Sequence, residues 1–288
     1  MTLHQQDLAD LQYAKRLLEN PGLVAKLSNV LGTPVEKGFE MLPEKWSEVV
    51  QDVTHKSLQK ALEFAVLTLG RRRRRARTFT HKVAVATSGG VGGAFGLPAL
   101  AIELPVSTLL MLRSVADIAR SEGEDIRQIE TKLDCLQVFA LGGPRRSDDA
   151  AETGYFAVRA ALANMITDAA GYIAKRGLAE KGAPVLVRLI SAISTRFGIV
   201  VSEKIAAMTV PIVGAAGGAL VNSLFMVHFQ NMARGHFIVR RLERQYGPEV
   251  VRRAYENLPS PRNHRSRSAV GQGSVIEVDD AADGLVEE

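Results

Sequence analysis

The sequence predicts an all-α fold: a multi-helix bundle built around two glycine-rich helical hairpins. Apolar residues recur at three- and four-residue steps through nearly every segment, and no alternating run is long enough to read as a strand. Two stretches of small and apolar residues, 83–112 and 205–233, stand among charged helical segments. The first holds one charge, Glu103, and the second holds none.

The elements follow in order. Leu3, Leu8, Leu11, Leu17 and Leu18 mark a helix over 3–19 that stops at Asn20-Pro21. Gly22 to Leu31 reads as a second short helix closed by Gly32, and Thr33-Pro34 opens a third that ends near Leu42-Pro43. Pro43 suits the first turn of a longer helix to Leu69, with Trp46, Val49, Val50, Val53, Leu58, Leu62 and Leu69 as its apolar stripe. His55 has no partner three or four residues away and reads as a solvated or capping residue. Gly70 ends this helix, and the run Arg71, Arg72, Arg73, Arg74, Arg75 and Arg77 follows.

In the first uncharged stretch, Gly89 with Gly93 and Gly92 with Gly96 form interleaved small-xxx-small pairs, which let a neighbouring helix approach closely. Phe95 stands where a dinucleotide loop needs its third glycine, and no Walker lysine follows. Pro98 and Pro105 imply a bend or a helix start, and a helix runs from Pro105 to Glu122 with Gly123 as its stop. Helices over 124–141, 154–180 and from Pro184 onward follow, the last with a break at Gly198, while GGPRRSDD at 142–149 is the clearest internal loop. The second uncharged stretch repeats the glycine spacing at Gly214 and Gly218 and passes into the charged helix RGHFIVRRLERQYG. From Pro259 apolar periodicity is lost, as in a disordered acidic tail. The expected organisation is an N-terminal helical segment (1–42), a helical domain (43–258) and the tail (259–288).

Composition narrows the function classes. The 288 residues are 46 % hydrophobic, which suits a soluble chain better than a polytopic membrane protein. The net charge is +5, and the tail sets Arg262, Arg265 and Arg267 against six acids, so the body is more basic than the total. Only 6 % of residues are aromatic and none interleave with the arginine run, which argues against nucleic acid as the partner. The run reads either as a solvated loop or as an anchor to an anionic membrane surface. Cys135 is the single cysteine and sits at an apolar helical position, so a disulfide framework is excluded and a core role is expected. The N-terminus has no basic and apolar secretory pattern, and the expected location is cytoplasmic, including the inner face of the cytoplasmic membrane.

The two uncharged stretches echo each other at a spacing of 124 residues: Gly93 falls on Gly217, Arg120 on Arg244 and Gly123 on Gly247. In that register Glu103 lies one residue from the position of His228. A carboxylate buried alone costs several kcal/mol, so Glu103 needs a partner or a proton; His228 is the candidate partner, and the pair reads either as a buried network that fixes helix register or as a ligand or proton-handling site. Glu103, Arg113, Asp117, Asn222 and His228 form the candidate buried polar site, with Arg113 and Asp117 paired four residues apart on one helix. His236, near the charged end, is expected to be exposed. No catalytic signature, metal-ligand set or cofactor motif appears.

The runs GGVGGAFGLPALAIELPVSTLLMLRSVADIARSEGEDI, CLQVFALGG and GAAGGALVNSLFMVHFQNMARGHFIVRRLERQYG, with the late Tyr255, resemble the EcsC family of bacterial proteins over roughly residues 40 to 258. The resemblance implies a mostly helical protein. The founding member is encoded beside the subunits of an ABC transporter linked to secretion and competence, which implies an accessory role and carries over no catalytic residue. Three readings follow: a membrane-associated accessory or scaffold protein, a soluble bundle binding an apolar ligand or a protein partner, and a hydrolase with a buried Glu103–His228 centre.

Overall fold

The computed structural model describes residues 3–19, 23–32, 34–70, 97–143, 154–178, 182–209 and 214–259. The arginine run, the glycine pairs of the first uncharged stretch and the tail beyond residue 259 lie outside these residues. The described residues form ten helices and no strand: α1 (Gln5–Glu19), α2 (Leu23–Leu31), α3 (Glu36–Glu40), α4 (Trp46–Thr68), α5 (Leu97–Ser121), α6 (Ile129–Leu141), α7 (Gly154–Arg176), α8 (Pro184–Thr209), α9 (Gly214–Tyr246) and α10 (Pro248–Asn257).

α9 is the axis of the bundle. Its 33 residues make a rod of roughly 50 Å. α5 runs parallel to it: Gln230 donates to Ser114 Oγ at 2.8 Å, and Arg240 donates to Glu124 at 2.8 Å, both at a separation of 116 residues. α8 runs antiparallel, with Phe197 against Phe229 and the Lys204 ammonium over the Phe225 ring at 4.8 Å. α6 delivers Phe139 to the same place, so four phenylalanines from three helices fill the centre at ring separations of 4.9 to 6.1 Å. α1 lies antiparallel along the C-terminal half of α9, where Arg241 meets Asp10 at 2.6 Å and Tyr246 donates to Asp7 at 2.6 Å. Lys15 donates to the carbonyls of Tyr255 and Leu258 and so closes the end of α10.

One close approach in this packing depends on a glycine. A Cβ on Gly235 would come within 2.7 Å of Leu18 and 3.0 Å of the Ala14 carbonyl, so the absent side chain sets the α1–α9 distance.

The structure differs from the sequence expectations at several points. α5 begins at Leu97 and carries Pro105 in its interior, where a start had been expected. Pro98 sits in the first turn, where an N–H has no helical partner, and only Pro105 removes an internal bond. α8 runs unbroken through Gly198, because Phe197, Val200 and Val201 are fully buried and their packing outweighs the roughly 1 kcal/mol a mid-helix glycine costs. Of the two expected glycine-rich hairpins, the glycine pairs of the first lie outside the described residues. Gly214 and Gly218 lie in the first turns of α9, and the aromatic contacts between α8 and α9 come from Phe197, Phe225 and Phe229. The echo does recur at the helix ends: α5 and α9 are both followed by a left-handed glycine, Gly123 at φ +83° and Gly247 at φ +91°.

Candidate functional site

Glu103 does find a cation, and it is Lys204. Lys204 Nζ lies 2.8 Å from both carboxylate oxygens, with the lysine fully buried and the glutamate nearly so. The ion pair ties α5 to α8 at the level of Phe225. His228 turns elsewhere: its Nε2–H donates to the Gly142 carbonyl at 2.9 Å, at the end of α6. A Cβ on Gly142 would sit 2.8 Å from that nitrogen, so the contact needs the glycine. Burial pushes the His228 imidazole down to about 4, with the Lys26 charge adding to the effect, so the ring is neutral and Nδ1 has no partner. The expected Glu103–His228 centre is therefore not formed.

The other candidates also separate. Arg113 lies over the Phe64 ring at 5.9 Å, and Asp117 holds Arg120 at 2.7 Å. The amide nitrogen and oxygen of Asn222 are both buried without a hydrogen-bond partner, one turn before Phe225. His236 is fully buried rather than exposed, and its Nδ1 hydrogen-bonds the Tyr155 hydroxyl at 3.0 Å. Burial holds the His236 pKa well below its usual value, and the arginines 159 and 240 push it in the same direction.

His236 belongs to a denser polar network at the C-terminal half of α9. Arg159 forms a two-pronged pair with Glu243 at 2.8 Å for each bond. Arg240 bridges Glu124 at 2.8 Å and Asp134 at 2.9 Å, and Arg244 also binds Glu124. Burial raises the Asp134 carboxyl to about 6 against the opposing pull of Arg240. The network joins α6, α7, α9 and the loop after α5. Its signal in the sequence is the spacing of His236, Arg240 and Glu243 at steps of four and three, one helical face that an uncharged-stretch reading passes over. Among the described residues, no group of three His, Cys, Asp or Glu side chains is placed to hold a metal ion.

Glu203, next to Lys204, is buried and has no cationic partner among the described residues. Burial alone raises its carboxyl to about 7. A folded pKa above the unfolded one means that folding takes up a proton between pH 4.5 and about 7, so this group costs stability increasingly as pH rises through that window. Glu203→Gln should therefore stabilise the protein by roughly 2–4 kcal/mol at alkaline pH and by almost nothing below the normal glutamate range. Urea melts of both proteins at the two ends of the window check the difference, which also cancels the opposite contribution of the buried histidines.

The surface of α5 and α9 changes character along its length. Ile102 is 75 % exposed and Val106 46 % in the N-terminal half of α5, as are Leu220 (41 %) and Val227 (46 %) in that of α9. Further along the same helices the exposed charged positions are Arg113, Asp117 and Arg120 on α5 and Arg234 and Arg244 on α9. Because the helices are parallel at an offset of 116, Arg113 stands level with Phe229, so the change occurs on the two helices at heights about 7 Å apart. α8 is also long and apolar enough to cross a membrane by length and composition, with 26 residues and a mean hydropathy of 1.7 over its most apolar window. Its exposed stripe, however, is Val187, Arg188, Ser191, Thr195 and Ile199, and its other faces pack on α2, α3, α4, α6, α7 and α9. That is the geometry of a core helix with a partly polar outer face. A cleft of about 180 Å³ opens between α4 and the start of α8, lined by Leu62, Leu178, Leu186 and Ile190 with Gln59 and Glu63 at its edge.

Comparison with known families finds a match to the model of the EcsC protein family over residues 5–242. No curated protein and no solved structure matches the chain.

Proposed function

The chain belongs to the EcsC protein family, and from that premise we propose that it is a helical accessory or scaffold protein that lies on the cytoplasmic face of a membrane and serves a transport or secretion system without chemistry of its own. One observation carries the reading: the exposed apolar flank made by Ile102 and Val106 of α5 with Leu220 and Val227 of α9, which gives way to charge further along both helices. Large apolar side chains exposed together mark a surface that meets lipid or a partner. On α4 the exposed positions are mixed, with Val49 and Leu67 standing among Glu48, Asp52, Lys56 and Lys60. A bundle of this kind rests on the bilayer surface and does not cross it.

The alternative, a soluble bundle that encloses an apolar ligand, has the α4–α8 cleft as its support. At about 180 Å³ that cleft is below the ~300–1,000 Å³ of ordinary ligand pockets. The arginine run adds an anionic-surface contact to the proposal, although Gly70, from which it departs, lies against Ile126 and Arg127 at the charged end of α5.

Flotation with phospholipid vesicles tests the reading. The unaltered protein should float, and Ile102→Ser and Val227→Ser should each weaken binding roughly tenfold, from ~1.5 kcal/mol of apolar transfer per side chain. Failure of the unaltered protein to float at low salt, or floating that both variants retain in full, sinks the proposal.

A further inference from the structure

We propose that Arg113 and Arg234 bind the phosphates of anionic lipids at the rim of the apolar flank, and thereby set the depth and rotation at which α5 and α9 meet the membrane. The assignment rests on the membrane reading above.

The arginines of these two helices divide cleanly. Arg120 pairs with Asp117, Arg240 with Glu124 and Asp134, Arg241 with Asp10 and Glu122, and Arg244 with Glu124. Arg113 and Arg234 are exposed, and among the described residues neither has a carboxylate partner. Among the described residues, every other arginine on α5 and α9 is neutralised by a carboxylate.

Their positions match the flank. Arg113 follows Val106 by seven residues and Arg234 follows Val227 by seven, so each stands two turns further along the same exposed stripe. At 1.5 Å per residue this is about 10 Å beyond the last exposed apolar side chain. In the inter-helix register Arg234 stands level with Ile118, so the two guanidinium-bearing positions differ in height by only about 7 Å. Apolar residues in the acyl region and arginines one headgroup layer above is the arrangement an interfacial surface needs. The planar guanidinium fork matches phosphate oxygens, and the Arg113 guanidinium stands over the Phe64 ring at 5.9 Å. Charge complementarity therefore selects an anionic lipid surface over a neutral one or an apolar protein face.

The test compares vesicles of phosphatidylcholine with vesicles containing phosphatidylglycerol, using the full chain. Arg113→Gln/Arg234→Gln should lose about thirty-fold in affinity for the anionic vesicles, about fivefold for each arginine near a charged surface, and keep its affinity for the neutral ones. Both positions are exposed and, among the described residues, have no carboxylate partner, so the melting temperature should move little. Unchanged affinity for anionic vesicles in the double variant, with binding still lost in Ile102→Ser/Val227→Ser, overturns the arginine assignment and leaves the membrane reading standing. Equal loss on both vesicle types overturns the assignment as well. Displacement by soluble glycerophosphoglycerol at the same headgroup concentration would make the site one for free phosphoesters and overturn the lipid assignment. An unaltered protein that binds neither vesicle overturns both proposals.

Discussion

Arg240→Ala should lower the unfolding free energy by about 3 kcal/mol at neutral pH. The arginine links two buried carboxylates, Glu124 and Asp134, whose side chains are 6 % and 8 % exposed. Removing it leaves Asp134 with no bonded cation, and breaking a buried pair from one side typically costs ~3–5 kcal/mol. The lower figure applies because Arg240 is itself 27 % exposed and Arg244 stays on Glu124. Asp134 already titrates near 6, and losing Arg240 moves it higher still. Its folded pKa then lies further above the unfolded value, so the penalty is greatest above that pKa and shrinks as the carboxyl is protonated. Urea unfolding of Arg240→Ala should show a smaller loss at acidic than at alkaline pH. Asp134→Asn in the same chain should recover much of the alkaline loss. A pH-independent loss would show that Arg240 acts by packing.

Glu103→Ala should cost about as much or more, ~3–5 kcal/mol, because it leaves the Lys204 ammonium wholly buried with only the Phe225 ring beside it. Glu103→Gln should cost less, since it keeps an acceptor. Replacing both partners by apolar residues of similar size, Glu103→Leu with Lys204→Met, removes the desolvation penalty along with the attraction, and should return stability to the wild-type value or above it. Vesicle binding by that double variant discriminates a structural pair from a working one. Binding that persists with normal stability marks a helix-registering contact between α5 and α8. Loss of binding in a well-folded double variant would give the pair a functional role.

Much of this organisation was legible in the residues. The helical periods, the proline and glycine stops and the two uncharged stretches predict an all-α chain, and the runs around Gly93 and Gly217 carry the resemblance that the family match bears out. Local signals of this kind depend on the order of a few neighbouring residues. Glu103 was also legible as a buried charge that needs a partner, because one acid in a long apolar stretch has no other way to be tolerated.

The partner itself was not legible. Lys204 lies 101 residues away on α8, where the pair Glu203-Lys204 reads as an ordinary charged turn, and only the tertiary packing of α8 beside α5 brings it to Glu103. His236 was misjudged for the same reason: it stands among charges in the sequence, but those charges are turned inward and neutralise one another across α6, α7 and α9. The arginine run and the apolar stretch, consecutive in the sequence, gave the impression of one membrane contact. In the fold, Gly70 lies against Ile126 and Arg127, beyond the C-terminal end of α5, whereas Ile102 stands near its N-terminal end. The sequence alone determined that the chain is helical, which segments are apolar and which charges need company. Which charges meet, and which apolar side chains stay outside the core, depended on tertiary packing, because pairing and burial are set by contacts between helices far apart in the chain.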